Sequence, residues 1–555
     1  MKAVDLHVHS TYSDGTDTPS EIVSKALSKG LKAIALTDHD TVEGVDDILS
    51  AAAGTGLEIV PGIELSTEYK GKDIHILGLY INTYDKDFLT SLETFRDSRE
   101  GRNEKMCENL RQMGIDISMD VLRGENPDCV ITRSHMGDFL LKHGYVSTKR
   151  EAFERFIGDH CKAFVPREKI SPEMAVTLIK KAGGIAVLAH PILYKMSKAE
   201  LGILITLLKE KGLDGIEAVY SEYTPADERL IKKYAADCEL LLTGGSDYHG
   251  SAKPDIDLGC GKGHLFVPEE FLDKLKEHYL MSFRLNFKPE ESTLFFDMDG
   301  SLLNDDKEIS PETYRAIEEA VSKGYLFAIS TGRPKTSASA LIDRLNLARF
   351  NPVVSAFNGG IVYDYNSGEI LHKCTLSDSL SDRLRAFGLN HGVHFHTYSE
   401  NEVVCERETE EIGYYSNYVK MPYVIADNCN EYSKEIYKYL FMNMTDKPLL
   451  EKLQSEIRED FGDEVQCLFS NDKFLEILPR ESGKGNALVK ICELTGRNPR
   501  ATYSFADADN DVSMFKASAR SVALLNAYPV AKAAAGYISF TDNNHDGLVP
   551  FLNCL

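Results

Sequence analysis

The 555-residue sequence has few positive charges relative to negative ones, and it contains no long apolar run and no CxxC pair. Its 62 Lys and Arg residues stand against 86 Asp and Glu residues, which gives a formal net charge of −24. Because phosphate backbones require dense Lys and Arg, this imbalance argues against a broad nucleic-acid-binding face. It does not exclude anionic substrates, since bound divalent metals reverse the local field inside a site.

The longest apolar runs, such as residues 201–208, are too short to cross a membrane, and the first residues lack the apolar segment of a signal peptide. The 11 cysteines are odd in number and widely scattered, which is typical of reduced thiols rather than of a disulfide framework. We therefore expect a cytoplasmic protein that does not associate with membranes. The sequence leaves its oligomeric state open.

Strand-like and amphipathic helical segments alternate through both halves of the chain, which predicts an α/β fold with largely parallel sheets or a barrel. A polar break in the middle leads us to expect one domain at 1–288 and another at 289–555. Within them we expect a helical insertion near 95–165 and an α+β insertion near 360–475. Ser20 is expected to cap the first helix.

Histidines and carboxylates cluster in the first half, mostly where a predicted strand ends. His7 and His9 are two residues apart, so on a strand both side chains project from the same face. The other members are Asp14, Asp38, His39, Glu64, His75, His190, Asp247 and His249. A lone histidine is more often a hydrogen-bonded core or surface residue, but strand ends of a βα barrel meet at one rim. The set therefore predicts a site for Zn, Mn or Fe.

These residues lie in motifs that resemble the polymerase and histidinol phosphatase (PHP) superfamily of metal-dependent phosphoesterases. The resemblance covers the first half and is closest to the branch of 3′,5′-nucleoside bisphosphate phosphatases and RNase AM. The motifs are DLHVHSTYSDGTDTPSEIV, LTDHDTVEG, PGIELS, HILGLY, ITRSHMGDFL, GGIAVLAHP and GSDYHG. The resemblance implies a distorted (β/α)7 barrel with two to three divalent transition metals, Mn, Zn or Fe, at one rim.

The same resemblance implies which residues hold each metal. The three sets are His7, His9, Glu64 and Asp247; then Glu64, His75 and His190; then Asp14, His39 and His249. Clustered metals of this kind activate water and neutralise phosphate oxygens. For the substrate phosphate we expect Arg133 and His135, with Arg102 behind them, held by the helical insertion; surface ion pairs are an almost equally good explanation of these three.

In the second half, an apolar strand-like run ends in Asp297 and Asp299, two neighbouring carboxylates that call for a cation. Thr331 follows another predicted strand, and Lys484 precedes a predicted helix. Asp507 and Asp511 follow a further strand. A DxD pair alone is common in surface turns, but the ordered set DxDGS, STGR, GKG and DxxND is far more specific.

This set resembles the haloacid dehalogenase (HAD) superfamily from about residue 292 to the end, most closely the Cof-type (IIB) phosphatases. The motifs are FFDMDGSLLN, ISTGRP, AFNGG, GKGNAL, ALLNAYPVAKAAA and TDNNHDGLVPF. The resemblance implies a Rossmann-like core with an inserted α+β cap. It makes Asp297 the nucleophile that forms an aspartyl-phosphate and Asp299 the general acid and base.

By the same resemblance, Thr331 and Lys484 bind the phosphoryl group. Magnesium is held by Asp297, the carbonyl of Asp299 and Asp507, and is steadied by Asp511. The sequence departs from the usual motifs at two places. Ser301 replaces a threonine and keeps the hydroxyl, and Ala506 replaces a glycine, which we expect to restrict the backbone near the metal.

The leading hypothesis is a bifunctional phosphoesterase. The first site would hydrolyse a phosphate ester of a nucleotide, either a 3′,5′-bisphosphate or a short oligonucleotide end, and the second a small phosphomonoester. Two alternatives stay open: a PHP phosphodiesterase or sugar-phosphate phosphatase, or one domain that senses phosphate and regulates the other. Complete ligand sets in both halves count against a purely regulatory role.

Overall fold

The computed structural model describes residues 3–124, 129–166 and 170–555. The chain forms two compact units, Met1–Ser282 and Phe283–Leu555, which we call the N-terminal and C-terminal units. Both are α/β, as predicted. In the ranges described, no helix is long and apolar enough to span a membrane.

The N-terminal unit contains eight strands and ten α-helices within its described residues. The strands are β1 (Ala3–Val8), β2 (Ala33–Leu36), β3 (Glu58–Tyr69), β4 (Lys72–Leu79), β5 (Ile185–Leu188), β6 (Gly215–Tyr220), β7 (Leu241–Gly245) and β8 (Val267–Pro268). The helices are α1 (Pro19–Ser28), α2 (Val45–Ala52), α3 (Lys86–Gln112), α4 (Met119–Arg123), α5 (Arg133–Lys142), α6 (Lys149–Ala152), α7 (Pro172–Lys181), α8 (Lys198–Glu210), α9 (Pro225–Asp237) and α10 (Glu269–Phe283).

These strands form a nearly closed barrel in the order β7-β6-β5-β4-β3-β2-β1-β8. β4 pairs antiparallel with both β3 and β5, and β8 pairs antiparallel with β1. The other neighbouring strands are parallel. The barrel closes where Val8 bridges Tyr248, just beyond the end of β7. Gly245 allows this approach, because a Cβ atom there would lie 2.4 Å from the Cβ of His7. The predicted barrel is confirmed.

Part of the segment between β4 and β5 packs around a hydrophobic core of its own. Met106 and Leu110 of α3 belong to the same cluster as Met136 and Leu140 of α5, and all four are buried. These residues lie in the range that the sequence assigns to a helical insertion. A separate core is therefore available to hold the side chains of this segment in fixed positions.

The cap of the first helix differs from expectation. Thr18, not Ser20, is the N-cap, and its side chain accepts a hydrogen bond from the Glu21 amide while Glu21 bonds back. Pro19 suits the first helical position because its ring fixes φ and its missing N–H is not needed there. The capping box of Thr18 and Glu21 therefore begins the helix two residues earlier than Ser20 would.

The C-terminal unit has fourteen strands and ten α-helices. The strands are β9 (Thr293–Phe296), β10 (Leu326–Ser330), β11 (Val353–Ala356), β12 (Ile361–Asp364), β13 (Ile370–Lys373), β14 (His394–Tyr398), β15 (Val403–Cys405), β16 (Tyr423–Ile425), β17 (Tyr439–Met442), β18 (Val465–Asn471), β19 (Phe474–Pro479), β20 (Thr502–Ala506), β21 (Arg520–Ala523) and β22 (Tyr537–Ile538). The helices are α11 (Pro311–Ser322), α12 (Lys335–Arg344), α13 (Asp378–His391), α14 (Glu410–Val419), α15 (Cys429–Ser433), α16 (Lys447–Phe461), α17 (Lys484–Thr495), α18 (Val512–Ala517), α19 (Pro529–Ala534) and α20 (Val549–Asn553).

Two sheets divide this unit. The main sheet has the order β13-β12-β11-β10-β9-β20-β21-β22. The six neighbouring strands β11-β10-β9-β20-β21-β22 are parallel, which confirms the predicted Rossmann-like core. The second sheet has the order β16-β15-β14-β17-β19-β18. We call residues 377–479, which carry it, the cap. The hairpin β12–β13 pairs with β11 and so extends the main sheet.

Candidate active sites

The nine side chains predicted as metal ligands come together at one end of the N-terminal barrel. They are His7, His9, Asp14, His39, Glu64, His75, His190, Asp247 and His249. Most belong to the residues that end a strand or directly follow it, whereas Glu64 and His75 project from the middle of the paired strands β3 and β4. The strand ends therefore deliver imidazoles and carboxylates to one place, as the sequence pattern indicates.

Glu64 lies at the centre of this cluster. Its Oε1 is 2.9 Å from His75 Nδ1 and 3.0 Å from His190 Nε2. Its Oε2 is 3.3 Å from the Nε2 atoms of both His7 and His9. One carboxylate thus faces ligands of two predicted metals, which is the geometry of a bridging group.

Asp14 forms the other side of the cluster. Its Oδ1 is 3.2 Å from His249 Nε2 and 3.9 Å from His39 Nε2. His39 also turns Nδ1 toward Glu64 at 3.2 Å, and His9 belongs to the same group of donor atoms as Asp14. The three predicted sets are therefore contiguous and share residues at their edges.

The electrostatics of the cluster favour positive charge. Burial raises the pKa of Glu64, but the imidazoles of His75 and His39 outweigh it and hold the pKa well below its usual value. Burial lowers the pKa of His9, yet hydrogen bonds to Asp247 and Glu64 raise it to about 9. Ionised carboxylates that draw a proton onto the buried His9 form an environment that also attracts cations. Burial dominates at His39 and lowers its pKa to about 3.

The donor set fits divalent transition metals. Three buried atoms of the cluster, Asp14 Oδ1, His39 Nδ1 and His190 Nδ1, are among those that lack a hydrogen-bond partner in the part of the chain that the structure describes. Buried polar atoms are normally satisfied, so these orphans indicate a missing ligand. Imidazole nitrogen and carboxylate oxygen are the donors that Zn, Mn and Fe take in proteins.

Two carboxylates outside the predicted ligand set, Glu217 and Asp38, form hydrogen bonds with the cluster or with residues next to it in the chain. Glu217 Oε1 lies 3.1 Å from His7 Nδ1, and its Oε2 accepts the His190 amide at 2.7 Å. Asp38 accepts hydrogen bonds from the hydroxyls of Ser10 and Ser13 at 2.6 and 2.5 Å. Such outer partners fix the orientation of metal-binding imidazoles. In the sequence, an acidic residue inside the apolar run IEAVY is the feature that could have pointed to Glu217.

A cavity of about 180 Å³ opens beside the cluster and is lined by Asp14, His39 and His75 together with three arginines. Arg102 is buried in its wall. Arg133 lies there too, although Asp159 and Asp73 accept from it at 2.5 and 3.2 Å. The third is Arg99, which the sequence did not single out.

Arg99 comes from α3 and is buried, donating to Asp40 and, at 3.0 Å, to Ser66. His135 has a different place. Its Nδ1 accepts the amide of Thr132 at 3.0 Å in the N-terminal capping box of α5, and it does not line the cavity. The cavity wall therefore presents Arg99, Arg102 and Arg133 but not His135.

The second site lies at the carboxyl ends of β9 and β20 in the C-terminal unit. Asp297, Asp507 and Asp511 bring carboxylate oxygens together, and all three are buried. Lys484 Nζ donates to Asp297 Oδ1 and Asp511 Oδ1, each at 2.5 Å. Burial raises the pKa of Asp297, which Lys484 only partly offsets. Three buried carboxylates with one lysine leave excess negative charge, so an oxygen-ligated cation such as magnesium fits this site.

The carboxylate of Asp299 does not belong to this group of three. Arg333 and Lys307 bind its carboxylate, with Lys307 Nζ 2.8 Å from Oδ1. Burial raises the pKa of Asp299, but the hydrogen bonds and charge of Arg333 lower it to about 2. Thr331 lines the same cavity, and its hydroxyl accepts the Arg333 amide at 3.1 Å. Arg333 is a second arginine that the sequence did not single out.

The two sequence departures have clear structural consequences. Ser301 donates to Asp507 Oδ1 at 2.6 Å, so its hydroxyl orients a predicted magnesium ligand. Ala506 is the last residue of β20 and pairs with Ala523, an extended conformation that any residue adopts. Gly300 is the glycine that the loop requires, because φ is +81° and a Cβ atom would lie 2.5 Å from Asp507 Oδ2.

Comparison with known proteins matches this division of the chain. A family model described as the PHP domain matches residues 5–274, and one described as haloacid dehalogenase-like hydrolase matches residues 294–552. The chain belongs to both families, as a PHP domain fused to a Cof-type HAD hydrolase domain. It is a hydrolase of phosphate esters, and both families are metal-dependent.

Three similar proteins illustrate the two halves. A 5′-3′ exoribonuclease of Haemophilus influenzae is 35% identical over 248 residues, which cover 45% of this chain and 90% of the relative. A 3′,5′-nucleoside bisphosphate phosphatase of Chromobacterium violaceum is 32% identical over 261 residues, 47% of this chain and 91% of the relative. A solved haloacid dehalogenase-like hydrolase from Bacteroides thetaiotaomicron is 24% identical with a TM-score of 0.43, covering 47% and 98% of the two chains.

Proposed function

We propose that the chain is a bifunctional phosphoesterase with two separate hydrolytic sites. The N-terminal site hydrolyses a phosphate ester of a nucleotide, a 3′,5′-bisphosphate or a short oligonucleotide end. The C-terminal site hydrolyses a small phosphomonoester through an aspartyl-phosphate. The observation that carries the proposal is that each unit combines a carboxylate-rich cation site with cationic side chains facing the same cavity.

At the N-terminal site, metal ions would be held by the nine residues of the cluster around Glu64. When bound, divalent metals in such a cluster acidify a water molecule and neutralise phosphate oxygens. Glu217 and Asp38 hold the surrounding imidazoles and loops in place through the hydrogen bonds described above. This support keeps the ligands from rearranging when the anionic substrate enters.

The arginines of the same cavity would bind the non-reacting part of the substrate. Arg102 and Arg133 present guanidinium groups that bind phosphate with two parallel hydrogen bonds. Phe153 lines the cavity as well and offers an apolar face beside them. A second phosphate together with a flat base is the chemistry of a nucleotide, and two of the relatives have names that denote nucleotide or RNA substrates.

At the C-terminal site, Asp297 would attack the phosphorus while the bond to the leaving oxygen breaks. Because Arg333 lowers the pKa of Asp299 to about 2 in the free site, Asp299 would donate a proton to that oxygen only after substrate binding has raised its pKa. A water molecule then attacks the phosphorus of the aspartyl-phosphate and gives a proton to Asp299, which releases inorganic phosphate and restores Asp297. Lys484 and Thr331 would bind the phosphoryl oxygens. Magnesium bound to Asp297, Asp507 and the Asp299 carbonyl, with Asp511 beside it, would neutralise charge on the phosphoryl group.

Three proteins test this proposal: wild type, His9→Ala and Asp297→Asn. We expect His9→Ala to lose hydrolysis of 3′-phosphoadenosine 5′-phosphate or of a short oligoribonucleotide, and to retain magnesium-dependent hydrolysis of p-nitrophenyl phosphate. Asp297→Asn should show the reverse. If either variant abolishes both activities while the circular dichroism spectrum stays unchanged, the two sites are not independent and the proposal fails.

A further inference from the structure

The motif AFNGG, residues 356–360, begins at the end of β11 and has no role in the mechanism described above. Its central residue, Asn358, is 1% exposed and has a φ of +52° and a ψ of +44°. This left-handed conformation is uncommon outside glycine, although asparagine tolerates it better than most residues. Buried residues persist in such conformations where their surroundings hold them, so the contacts of Asn358 indicate what the motif does.

The backbone of Asn358 bonds to both segments that are proposed to bind the phosphoryl group. Its N–H donates to the carbonyl of Thr331 at 2.9 Å, and its carbonyl accepts the N–H of Gly483 at 2.7 Å. Gly483 directly precedes Lys484 at the start of α17. The carbonyl of Asn358 also accepts the hydroxyl of Ser482 at 3.1 Å. One residue therefore sets the spacing between the loop of Thr331 and the start of the helix of Lys484.

The side chain of Asn358 joins the cap to the loop that carries the proposed magnesium ligands Asp507 and Asp511. Its Nδ2 donates to Glu476 Oε2 at 2.8 Å, and its Oδ1 accepts from Asn510 Nδ2 at 3.0 Å. An ionised carboxylate can only accept hydrogen bonds, so the contact with Glu476 determines which way the amide of Asn358 points. The cap therefore uses one polar atom of this side chain, and the magnesium loop uses the other.

Glu476 is itself held by a buried ion pair inside the cap. Lys438 Nζ lies 2.7 Å from Glu476 Oε2, and the exposed fractions of the two side chains are 1% and 3%. The same ammonium group donates to the carbonyl of Gly332 at 2.8 Å. Breaking a buried ion pair is costly, because it leaves a charge without a partner. The ion pair therefore holds the cap against the core at two points, the amide of Asn358 and the carbonyl of Gly332.

We propose that Asn358 is a positioning residue that keeps Thr331 and Lys484 at the spacing that a phosphoryl group requires. The Lys438–Glu476 pair of the cap acts through Asn358. Thr331 and Glu476 line the cavity of about 210 Å³ at this site, and Asn358 is buried behind them. Since Thr331 and Lys484 bind phosphoryl oxygens in the proposed mechanism, loss of the amide weakens catalysis whatever the leaving group is. This inference rests on the phosphomonoesterase activity proposed for the C-terminal unit.

Asn358→Gly removes the amide but keeps a backbone that adopts positive φ without strain. We expect kcat/KM to fall about 10- to 100-fold, by one common factor for p-nitrophenyl phosphate, phenyl phosphate and glycerol phosphate. The inhibition constant of inorganic phosphate should rise about 5- to 10-fold. A purely structural role would lower the unfolding midpoint and leave these constants of the folded enzyme unchanged. Asn346→Gly is the matched control, since Asn346 is an exposed asparagine of the same unit with a φ of +55°.

A swap of polar groups between Asn358 and Glu476 tests the path from the cap. Asn358→Asp places a second carboxylate against Glu476, and the like charges repel, so the loss of kcat/KM should be at least as large as in Asn358→Gly. Adding Glu476→Gln moves the carboxylate from one partner to the other and restores a donor and an acceptor at the same total charge. The double variant should therefore regain about 5-fold or more in kcat/KM over Asn358→Asp.

The inference is overturned if folded Asn358→Gly keeps kcat/KM and the inhibition constant within about 2-fold of wild type. It is also overturned if the loss differs several-fold between leaving groups, or if the double variant is no more active than Asn358→Asp. When circular dichroism shows that Asn358→Gly has not folded, the double variant decides. Failure of the proposed function looks different, because wild type would hydrolyse no phosphomonoester or Asp297→Asn would retain that hydrolysis.

Discussion

Arg333 grips the carboxylate of Asp299 through two parallel hydrogen bonds, Nε to Oδ2 at 2.6 Å and Nη2 to Oδ1 at 2.7 Å. The same guanidinium group lies 5.2 Å from the ring centroid of Tyr418, a cap residue. Arg333 thus links the proposed general acid to the cap. A planar fork of this kind fixes both the position and the rotation of the carboxylate.

We expect Arg333→Lys to keep the positive charge but lose the fork, and to lower kcat for p-nitrophenyl phosphate about 10-fold, because proton transfer depends on the orientation of Asp299. Steady-state kinetics measure this. Arg344→Lys is the control, since Arg344 pairs with Glu308 at the surface. An unchanged kcat would show that the fork does not position the acid.

Glu64 faces five imidazoles in the N-terminal cluster, so its replacement should disturb more than one metal. We expect wild type to bind more than one divalent metal per chain and Glu64→Gln to lose most of it, since an amide cannot bridge two cations. Inductively coupled plasma mass spectrometry of the full chain measures the content. Glu68→Gln, an exposed residue on the same strand, is the control. Full metal content in Glu64→Gln would refute the bridging role.

Lys484 is the only lysine that contacts the carboxylates of Asp297 and Asp511 in the described chain. We expect Lys484→Met to reduce phosphomonoesterase kcat about 1,000-fold or more, because phosphoryl charge and nucleophile lose their fixed cation. Leaving buried carboxylates unpaired should also destabilise the unit by about 3–5 kcal/mol. Kinetics and urea unfolding measure the two effects. Lys490→Met, on the same helix but facing Glu493 at the surface, should change neither.

The sequence predicted most of the candidate ligands and catalytic residues, but it did not predict the residues whose hydrogen bonds hold those side chains in place. Most imidazoles and carboxylates of the first site stand at or just after strand ends, where periodicity locates them, and the structure brings all nine predicted ligands together. The sequence analysis did not predict roles for Glu217, Arg99 and Arg333. Their hydrogen-bond partners are 27 or more residues away in the chain, so each pairing depends on how strands and helices pack. His135 shows the converse, since a local capping box uses a side chain that looked available for substrate.

Ala506 replaces a glycine of the usual motif, yet its extended backbone in β20 needs no glycine. We expect Ala506→Gly to leave kcat for p-nitrophenyl phosphate within about 2-fold of wild type. It should cost about 0.5–1 kcal/mol of unfolding free energy, because glycine in a strand loses more conformational entropy on folding. Kinetics and urea unfolding measure both. A several-fold gain in kcat would mean that the alanine does restrain the metal loop.

The buried imidazole of His394 predicts how stability depends on pH. The pKa of His394 is about 4 in the folded chain and about 6.5 when unfolded, so between these values the unfolded chain binds more protons. Its contribution is complete above pH 6.5 and is lost as pH falls toward 4. We expect this residue to cost about 2 kcal/mol of unfolding free energy between pH 7 and pH 5.

His394→Gln removes the titrating ring but keeps a donor and an acceptor, so the loss between pH 7 and pH 5 should shrink by about that amount. Urea unfolding of the full chain, followed by tyrosine fluorescence at several pH values, measures the difference. His391→Gln, at the half-exposed end of α13, is the matched control. An equal pH slope in wild type and His394→Gln would mean that the buried ring takes up its proton at the same pH in the folded and the unfolded chain.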